Sequence, residues 1–411
     1  MADSTVTPSK PTFSKYEIFI ISILSILQFT IILDFMVLNP LGAQLLVELN
    51  IKPVQFGLVV SAYAFSAGAS GLLAAGFADK FDRKTLLLFF YAGFILGTAF
   101  CAMATNYEYL LFARIFTGIF GGVIGSIVFA IITDLFKMEV RGRVMGFVQT
   151  AFAASQVLGI PIGLILANKF SWHAPFWMIV IFSLMVYALI FIYLRPIDAH
   201  LKIKTDNNAF QHLWKILTTP QYLRAFLTVI LLSTGGYMLM PLGSAFTINN
   251  LKIRMEDLPL IYGITGVFSI IAGPIMGKLS DKIGKYKIFV IGSILSMIMI
   301  GIFTQLGAIP LWLAITVNVL LFIGVSTRMI AASALMTAVP KPEDRGAFMS
   351  LNSSIQQIGG GFASAAAGLI VVQTPSGFLE NYDILGYVVI TSMLIVMGLM
   401  YFLNREVQKN G

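Results

Sequence analysis

The chain carries the charged stretch Gly76-Phe-Ala-Asp79-Lys-Phe-Asp82-Arg83-Lys84 between two long apolar runs. A second stretch of the same kind, Gly277-Lys-Leu-Ser-Asp281-Lys-Ile-Gly284-Lys285, begins 201 residues later. Two further blocks keep nearly the same spacing: Pro40-Leu41-Gly42 matches Pro241-Leu242-Gly243, and Arg141-Gly142 matches Arg345-Gly346. Collinear matches at a nearly steady offset predict a tandem duplication of one apolar unit.

The composition indicates a polytopic membrane protein. The chain has 411 residues, of which 58% are hydrophobic and 11% are charged, and its mean hydropathy is +0.88. Soluble domains carry roughly 25% charged residues. Apolar stretches of about 20 residues recur along the chain, and that length crosses a hydrocarbon core of ~30 Å. We therefore expect an all-α membrane protein with twelve transmembrane helices in two pseudo-symmetric six-helix bundles.

The expected spans divide the chain into two halves. The N-terminal bundle is predicted over residues 1–194, a cytoplasmic linker over 195–221, and the C-terminal bundle over 222–411. The predicted spans are 17–46, 54–77, 85–105, 109–135, 144–168, 173–194, 222–249, 258–277, 286–306, 310–338, 346–372 and 382–403.

The positions of lysine and arginine predict the orientation, because cytoplasmic segments carry an excess of both. With the N-terminus inside, 20 of the 27 basic residues fall in inner segments, four in outer segments and three within spans. Both termini are therefore expected in the cytoplasm, for a multi-pass protein of the inner (plasma) membrane. This asymmetry accounts for the net charge of +8, and no basic face for nucleic acid is expected. The single cysteine, Cys101, excludes a disulfide within the chain.

The charged stretches resemble the loop signature of the major facilitator superfamily, since the first follows the second span and its copy follows the eighth. Arg114-Ile-Phe-Thr-Gly118 resembles the R-x-x-Q-G element of that superfamily, with Thr117 in place of glutamine. The run from Leu33-Asp34-Phe35 through Asn39-Pro40 resembles the acidic element of its drug:proton antiporters. In the fifth span, Gly159-Ile-Pro161-Ile-Gly163 is similar to their G-x-P-x-G motif. These glycines also suit close helix packing, and the cluster also suits a hinge.

The residues around Trp172 and Trp177 extend the resemblance to the arabinose-efflux-permease branch, which contains sugar, nucleoside and drug exporters. It implies a secondary active transporter that exports a small organic molecule in exchange for protons by alternating access. A proton symporter or facilitator that imports a small polar metabolite is the alternative. The implied partners are the substrate, protons and the lipid bilayer, for a monomer without cofactor, metal or enzymatic activity.

Asp34 and Arg114 are the two intramembrane charges that we expect to work together. Asp34 lies roughly 25 Å from the inner end of its span and Arg114 roughly 8 Å from the outer end of its own. Because these depths sum to about one membrane thickness, the two residues lie at similar height. They are predicted to couple protons to transport. A static pair that only fixes helix packing remains the alternative.

Other residues are expected to gate the path or to bind the substrate. By the resemblance, the charged loops form a gate at the cytoplasmic ends of the helices, with Gly76, Asp79, Arg83, Asp134 and Asp281. The substrate cavity is predicted to include Gln28, Asn39, Tyr237, Met238, Asn318, Thr327 and Arg328. Arg328 binds either an anionic group of the substrate or a carbonyl cluster at a helix end, and the sequence leaves both open.

The two intramembrane charges of the first half are not repeated in the second half. Asp34 falls opposite Gly235, and Arg114 falls near Asn318. We therefore expect the N-terminal half to handle the proton and the C-terminal half mainly to shape the substrate site.

Overall fold

A computed structural model describes residues 13–74, 80–198, 201, 209–341 and 344–410. The first half contains eight helices in these residues. They are α1 (Lys15–Val37), α2 (Gly42–Glu48), α3 (Pro53–Ala74), α4 (Arg83–Ala102), α5 (Tyr107–Leu135), α6 (Met138–Ala154), α7 (Ile160–Lys169) and α8 (Ala174–Tyr193). A π-helical turn, Ser155–Gly159, joins α6 to α7.

The second half repeats this arrangement after a short helix in the predicted linker, α9 (Ala209–Thr218). Its helices are α10 (Pro220–Tyr237), α11 (Met240–Asn249), α12 (Leu258–Ile283), α13 (Lys285–Phe303), α14 (Leu311–Met336), α15 (Arg345–Ile370) and α16 (Tyr382–Asn410). A 3₁₀ turn, Met255–Asp257, precedes α12. Two short antiparallel strands, β1 (Val372–Gln373) and β2 (Leu379–Glu380), connect α15 to α16.

Eleven helical segments among the described residues are long and apolar enough to cross a membrane. Three predicted spans consist of two helices each: α1 with α2, α6 with α7, and α10 with α11. Prolines lie at or just after these breaks, where the missing backbone N–H interrupts the helical ladder. The predicted eleventh span is α15. It has 26 residues, but it carries Asn352, Gln356 and Gln357 and is therefore less apolar than the others. The all-α membrane fold is confirmed.

One helix was not predicted. In the linker, α9 buries Leu213 and Ile216 against the C-terminal half and leaves Trp214 63% exposed. The period of its apolar residues was available in the sequence, but the helix is short and lies next to a long polar stretch.

The two ends of the bundle differ in how closely the halves approach. The proximal end contains the start of α1 and the end of α16, and at this end Arg195 N–H donates to the Tyr16 hydroxyl at 3.0 Å. The distal end contains α2 and α11. Here the Ser244 hydroxyl donates to the Asn39 carbonyl at 3.2 Å, and a Cβ on Gly42 would lie 2.8 Å from the Pro241 carbonyl oxygen. The repeated Pro-Leu-Gly blocks thus lie in contact across the two halves.

Contacts between the segment from α6 to α7 and α12 are likewise closer at the distal end than at the proximal end. Near the distal end, a Cβ on Gly266 would lie 2.8 Å from a methyl group of Val157. Toward the proximal end, a Cβ on Gly146 or on Gly277 would meet nothing within 4 Å. These helices therefore close on each other distally and leave space proximally.

Two central helices, α3 and α15, stay in contact along their length. A Cβ on Gly57 would lie 2.8 Å from the Ser364 carbonyl oxygen near the distal end. Near the proximal end, a Cβ on Gly71 would lie 2.8 Å from the Ser354 hydroxyl. Glycine allows backbones to approach this closely inside a membrane, where packing replaces the hydrophobic effect as the source of helix association.

A glycine-to-alanine pair tests this packing. Gly122 on α5 lies against Ala67 of α3, and a Cβ at position 122 would overlap the Ala67 backbone. We expect Gly122→Ala to destabilise the protein by about 1–3 kcal/mol through overpacking. Gly146→Ala is the matched control in open space and should leave the melting temperature unchanged or slightly raised. Thermal melts of the two purified variants that shift equally would contradict the packing role.

Candidate functional site

A buried ion pair lies at the centre of the N-terminal half. Arg114 Nη1 of α5 donates to Asp34 Oδ2 of α1 at 2.8 Å, and both side chains are at most 1% exposed. The Thr98 hydroxyl of α4 donates to the other carboxylate oxygen at 3.1 Å. Three helices therefore meet at one carboxylate.

The surroundings of Arg114 leave part of its guanidinium free. Its Cζ lies 4.4 Å from the centroid of the Tyr63 ring, a cation–π contact that favours the charged side chain in a dry site. Its Nε is buried and has no hydrogen-bond partner among the described residues. Each oxygen of the carboxylate thus has a donor, whereas the guanidinium keeps an N–H group without a partner in the described part of the chain.

A cavity lies between the two halves, and Met36, two residues after Asp34, is part of its wall. It encloses about 880 Å³, including its open mouth. The lining residues are Met36, Asn39, Pro40, Gln156, Ile160, Gly235, Gly236, Leu239, Met240, Gly243, Tyr262, Thr265, Gly266, Phe303, Asn318, Leu321, Phe322 and Val325. Most of this surface is apolar, with a few amide and hydroxyl groups, as is typical of sites for small organic molecules.

The polar groups of the cavity come from both halves. The Thr265 hydroxyl donates to Asn318 Oδ1 at 3.1 Å. The side-chain oxygen of Asn39 is buried without a hydrogen-bond partner in the described part of the chain. An unpaired amide oxygen of this kind is a ready acceptor for a ligand donor.

An aromatic group connects the ion pair to the wall of the cavity. Phe35, next to Asp34, has its ring centroid 5.3 Å from that of Tyr63 and 5.9 Å from that of Tyr237. Tyr237 belongs to α10 and follows the lining residue Gly236. A movement of α1 at the ion pair would therefore change the contact between Phe35 and Tyr237 of the C-terminal half.

Of the residues predicted for the cavity, some line it and others do not. Asn39 and Asn318 line it. Met238 and Thr327 are each 3% exposed and pack in the C-terminal half. The Tyr237 hydroxyl donates to Gln357 at 3.2 Å, and Gln28 has a buried, unpaired side-chain oxygen within the described residues.

Arg328 is 1% exposed and lies next to the cavity rather than on its wall. Its Cζ is 5.9 Å from the centroid of the Phe289 ring. Within the part of the chain that the structure describes, no carboxylate contacts it.

Three of the residues predicted for the gate, Arg83, Asp134 and Asp281, lie at the proximal end. Arg83 Nε of α4 donates to Asp134 Oδ2 of α5 at 2.9 Å, so the start of one helix is tied to the end of another. Asp281 is exposed near the end of α12, and no ion pair of it is seen in the described ranges. Gly76 and Asp79 lie outside the described residues.

The antiporter motif borders the π-helical turn. Pro161 is the second residue after this turn, and its missing N–H suits a local change in hydrogen bonding. A Cβ on Gly159 would lie 2.5 Å from Leu33, and one on Gly163 would lie 3.0 Å from Val37. The two glycines therefore pack α7 against α1, next to Asp34.

Sequence reasoning missed a polar contact that joins the halves at the distal end. Gln44 Nε2 donates to Asn168 Oδ1 at 3.0 Å, and it lies 3.3 Å from the Met255 sulfur. Asn168 Nδ2 donates to the Met255 carbonyl at 3.2 Å. These residues lie far apart in the sequence and carry no charge, so no pattern marked them. Gln156, Tyr262 and Thr265 of the cavity were missed for the same reason.

Comparisons with known proteins give the family. The model of the Major Facilitator Superfamily matches residues 24–253 and 225–411. The MFS-type transporter YceJ of Bacillus subtilis is 26% identical over 270 residues, which are 65% of this chain and 68% of that protein. Multidrug resistance protein 1 of the same organism is 22% identical over 343 residues, 80% of this chain and 84% of that protein.

A solved structure has the same fold. It is that of a bacterial homologue of the human lysosomal transporter Spinster, with a TM-score of 0.77 at 16% sequence identity, over 97% of this chain and 99% of that one. Because the family model spans both halves, this chain belongs to the Major Facilitator Superfamily of membrane transporters.

Proposed function

We propose that this transporter exports a small organic molecule in exchange for protons. The buried pair of Asp34 and Arg114 is the observation that carries the proposal. Among the described residues, Asp34 is the only acidic side chain that is buried. An intramembrane ionisable group is costly and is typically retained for transport or proton relay.

Protonation of Asp34 changes the side-chain contacts that hold α1, α4 and α5 together. Protonation removes the negative charge, whereas Arg114 stays charged because a guanidinium does not release its proton in proteins. The guanidinium then keeps its contact with Tyr63 but loses the ion pair to α1. The contact of α1 with α4 and α5 is thereby weakened.

The aromatic contact through Phe35 supports coupling between this event and the cavity. Phe35 lies between Tyr63 of the N-terminal half and Tyr237 of the C-terminal half. Motion of α1 on loss of the ion pair would shift this contact and the neighbouring wall at Met36. Proton binding to Asp34 would then be coupled to the arrangement of α1 at the cavity wall.

The proposal also covers the orientation of the protein in the membrane and the direction of transport. Placing the proximal end in the cytoplasm puts most lysines and arginines inside, as the orientation rule requires. The distal closure around Gln44 then seals the outer side. Export is favoured by the likeness to multidrug resistance protein 1 and by the antiporter motif beside Asp34. Symport or facilitated import is the competing function.

The first test neutralises the carboxylate. Purified protein in proteoliposomes that contain a pH-sensitive dye is given ethidium, inosine or arabinose across an imposed pH gradient. We expect wild type to dissipate the gradient with the substrate it exchanges for protons. Asp34→Asn should lose this proton flux and keep proton-independent substrate counterflow, since asparagine has the same size as aspartate and its side-chain oxygen can still accept a hydrogen bond from Arg114.

Glu380→Gln is the control for this test because it removes an exposed carboxylate at the distal end. It should behave as wild type. Uphill transport by Asp34→Asn at the wild-type level would refute the role of Asp34. Proton flux in the same direction as the substrate would instead establish symport.

The second test locks the distal end. Gln44→Cys and Met255→Cys, combined with Cys101→Ser, place two thiols where the halves touch. A short bifunctional thiol reagent should block transport, and reduction should restore it, because alternating access requires this end to open. The single Gln44→Cys variant should stay active after the same treatment. Full transport by the completely cross-linked protein would show that this end does not open during the cycle.

A further inference from the structure

Arg328 is a buried cation that has no counterion among the described residues. Its side chain is 1% exposed, and its Nε and Nη2 atoms are buried with no acceptor in the described residues. Removing a charge from water costs several kcal/mol unless an opposite charge or several hydrogen bonds compensate. The Phe289 ring, 5.9 Å from Cζ, supplies a small part of this at most. Most of the donor capacity of this guanidinium is unused.

No acidic side chain of the described bundle interior is available to Arg328. Asp34 is engaged by Arg114 and Thr98 in the other half. The remaining ion pairs lie at the ends of the bundle, such as Arg224 with Glu406 at the proximal end. In the part of the chain that the structure describes, the interior therefore carries an uncompensated positive charge in the C-terminal half.

The internal repeat shows that the second half lacks a carboxylate at the position equivalent to Asp34. Gly235 lies at the register position of Asp34, 201 residues later. A Cβ on Gly235 would collide with Nη1 of Arg328, so the guanidinium occupies the place that a side chain at position 235 would take. The N-terminal half thus has an arginine with its carboxylate, and the C-terminal half has an arginine beside the position where the carboxylate is absent.

That position borders the cavity. Gly235 and Gly236 line it on α10, and Val325 lines it on α14, one helical turn before Arg328. A Cβ on Gly236 or on Gly243 would meet nothing within 4 Å. The guanidinium of Arg328 therefore lies behind a part of the cavity wall that carries no side chain at residues 235 and 236.

We propose that Arg328 binds a carboxylate of the transported molecule, so that the substrates are small organic anions. A guanidinium presents a planar fork of N–H donors that matches a carboxylate in a bidentate pair. The apolar and aromatic lining holds the rest of the molecule, and the side chains of Asn39 and Asn318 bind its uncharged polar groups. This inference names the substrate class and rests on the proposed transport function, but it concerns binding alone.

Thermal melts of the full-length purified protein test the proposal without transport. The probes are carboxylates paired with their primary amides: acetate with acetamide, benzoate with benzamide, and indole-3-acetate with indole-3-acetamide. Sodium chloride forms a separate arm, in a chloride-free buffer. We expect at least one carboxylate to raise the melting temperature of wild type by about 3 °C more than its amide.

Two variants of Arg328 decide its role. Arg328→Met should abolish the preference for carboxylate over amide, and it should melt no lower than wild type without ligand, because it removes an uncompensated charge. Arg328→Lys should keep the preference with at least about tenfold weaker affinity, since an ammonium lacks the bidentate fork. Arg224→Gln, a proximal arginine that is largely exposed, should keep the full wild-type response.

The contrary results are equally defined. A wild type that prefers no carboxylate to its amide, or that responds equally to chloride, overturns the proposal. A carboxylate preference that survives in Arg328→Met overturns it as well. Asp34→Asn should retain the carboxylate preference. Failure of proton coupling and failure of the anion site are therefore distinguished by separate measurements.

Discussion

The ion pair between Asp34 and Arg114 is the constraint on which the rest of the molecule depends. Two opposite charges lie at most 1% exposed inside an apolar bundle, where each alone would be expensive. The pair fixes α1 against α5, and the Thr98 hydroxyl adds α4. Since the stability of this arrangement depends on the charge of one carboxylate, a single proton can alter the contacts of three helices.

The packing around this pair favours rigid halves that move against each other. Glycines bring α3 and α5 into backbone contact within the N-terminal half, as at Gly122. Between the halves, α3 and α15 are in contact along their length, polar contacts around Gln44 and Ser244 close the distal end, and α6 and α12 separate toward the proximal end. The continuous contact of α3 with α15, together with the open space between α6 and α12 at the proximal end, suits a rocking motion about the central cavity.

Much of the fold followed from the sequence because it rests on local and repeated signals. Apolar length gave the spans, and the repeated glycine, aspartate and proline blocks gave the two halves. The depths of Asp34 and Arg114 placed them at one height because helical rise is constant. The α9 helix and the exact cavity wall did not follow. Which face of α12 or α14 lines the cavity depends on helix rotation, and neutral residues such as Gln156 and Thr265 give no signal of it.

The central claim is that Asp34 gains and loses a proton within a folded transporter. Infrared difference spectroscopy of the reconstituted protein, recorded as the pH is stepped, measures the carbonyl stretch of a protonated carboxyl group directly. Wild type should show a titrating band from a buried carboxyl that is absent in Asp34→Asn. Identical difference spectra for the two proteins would mean that Asp34 keeps its charge throughout, as a static pair that only holds helices together.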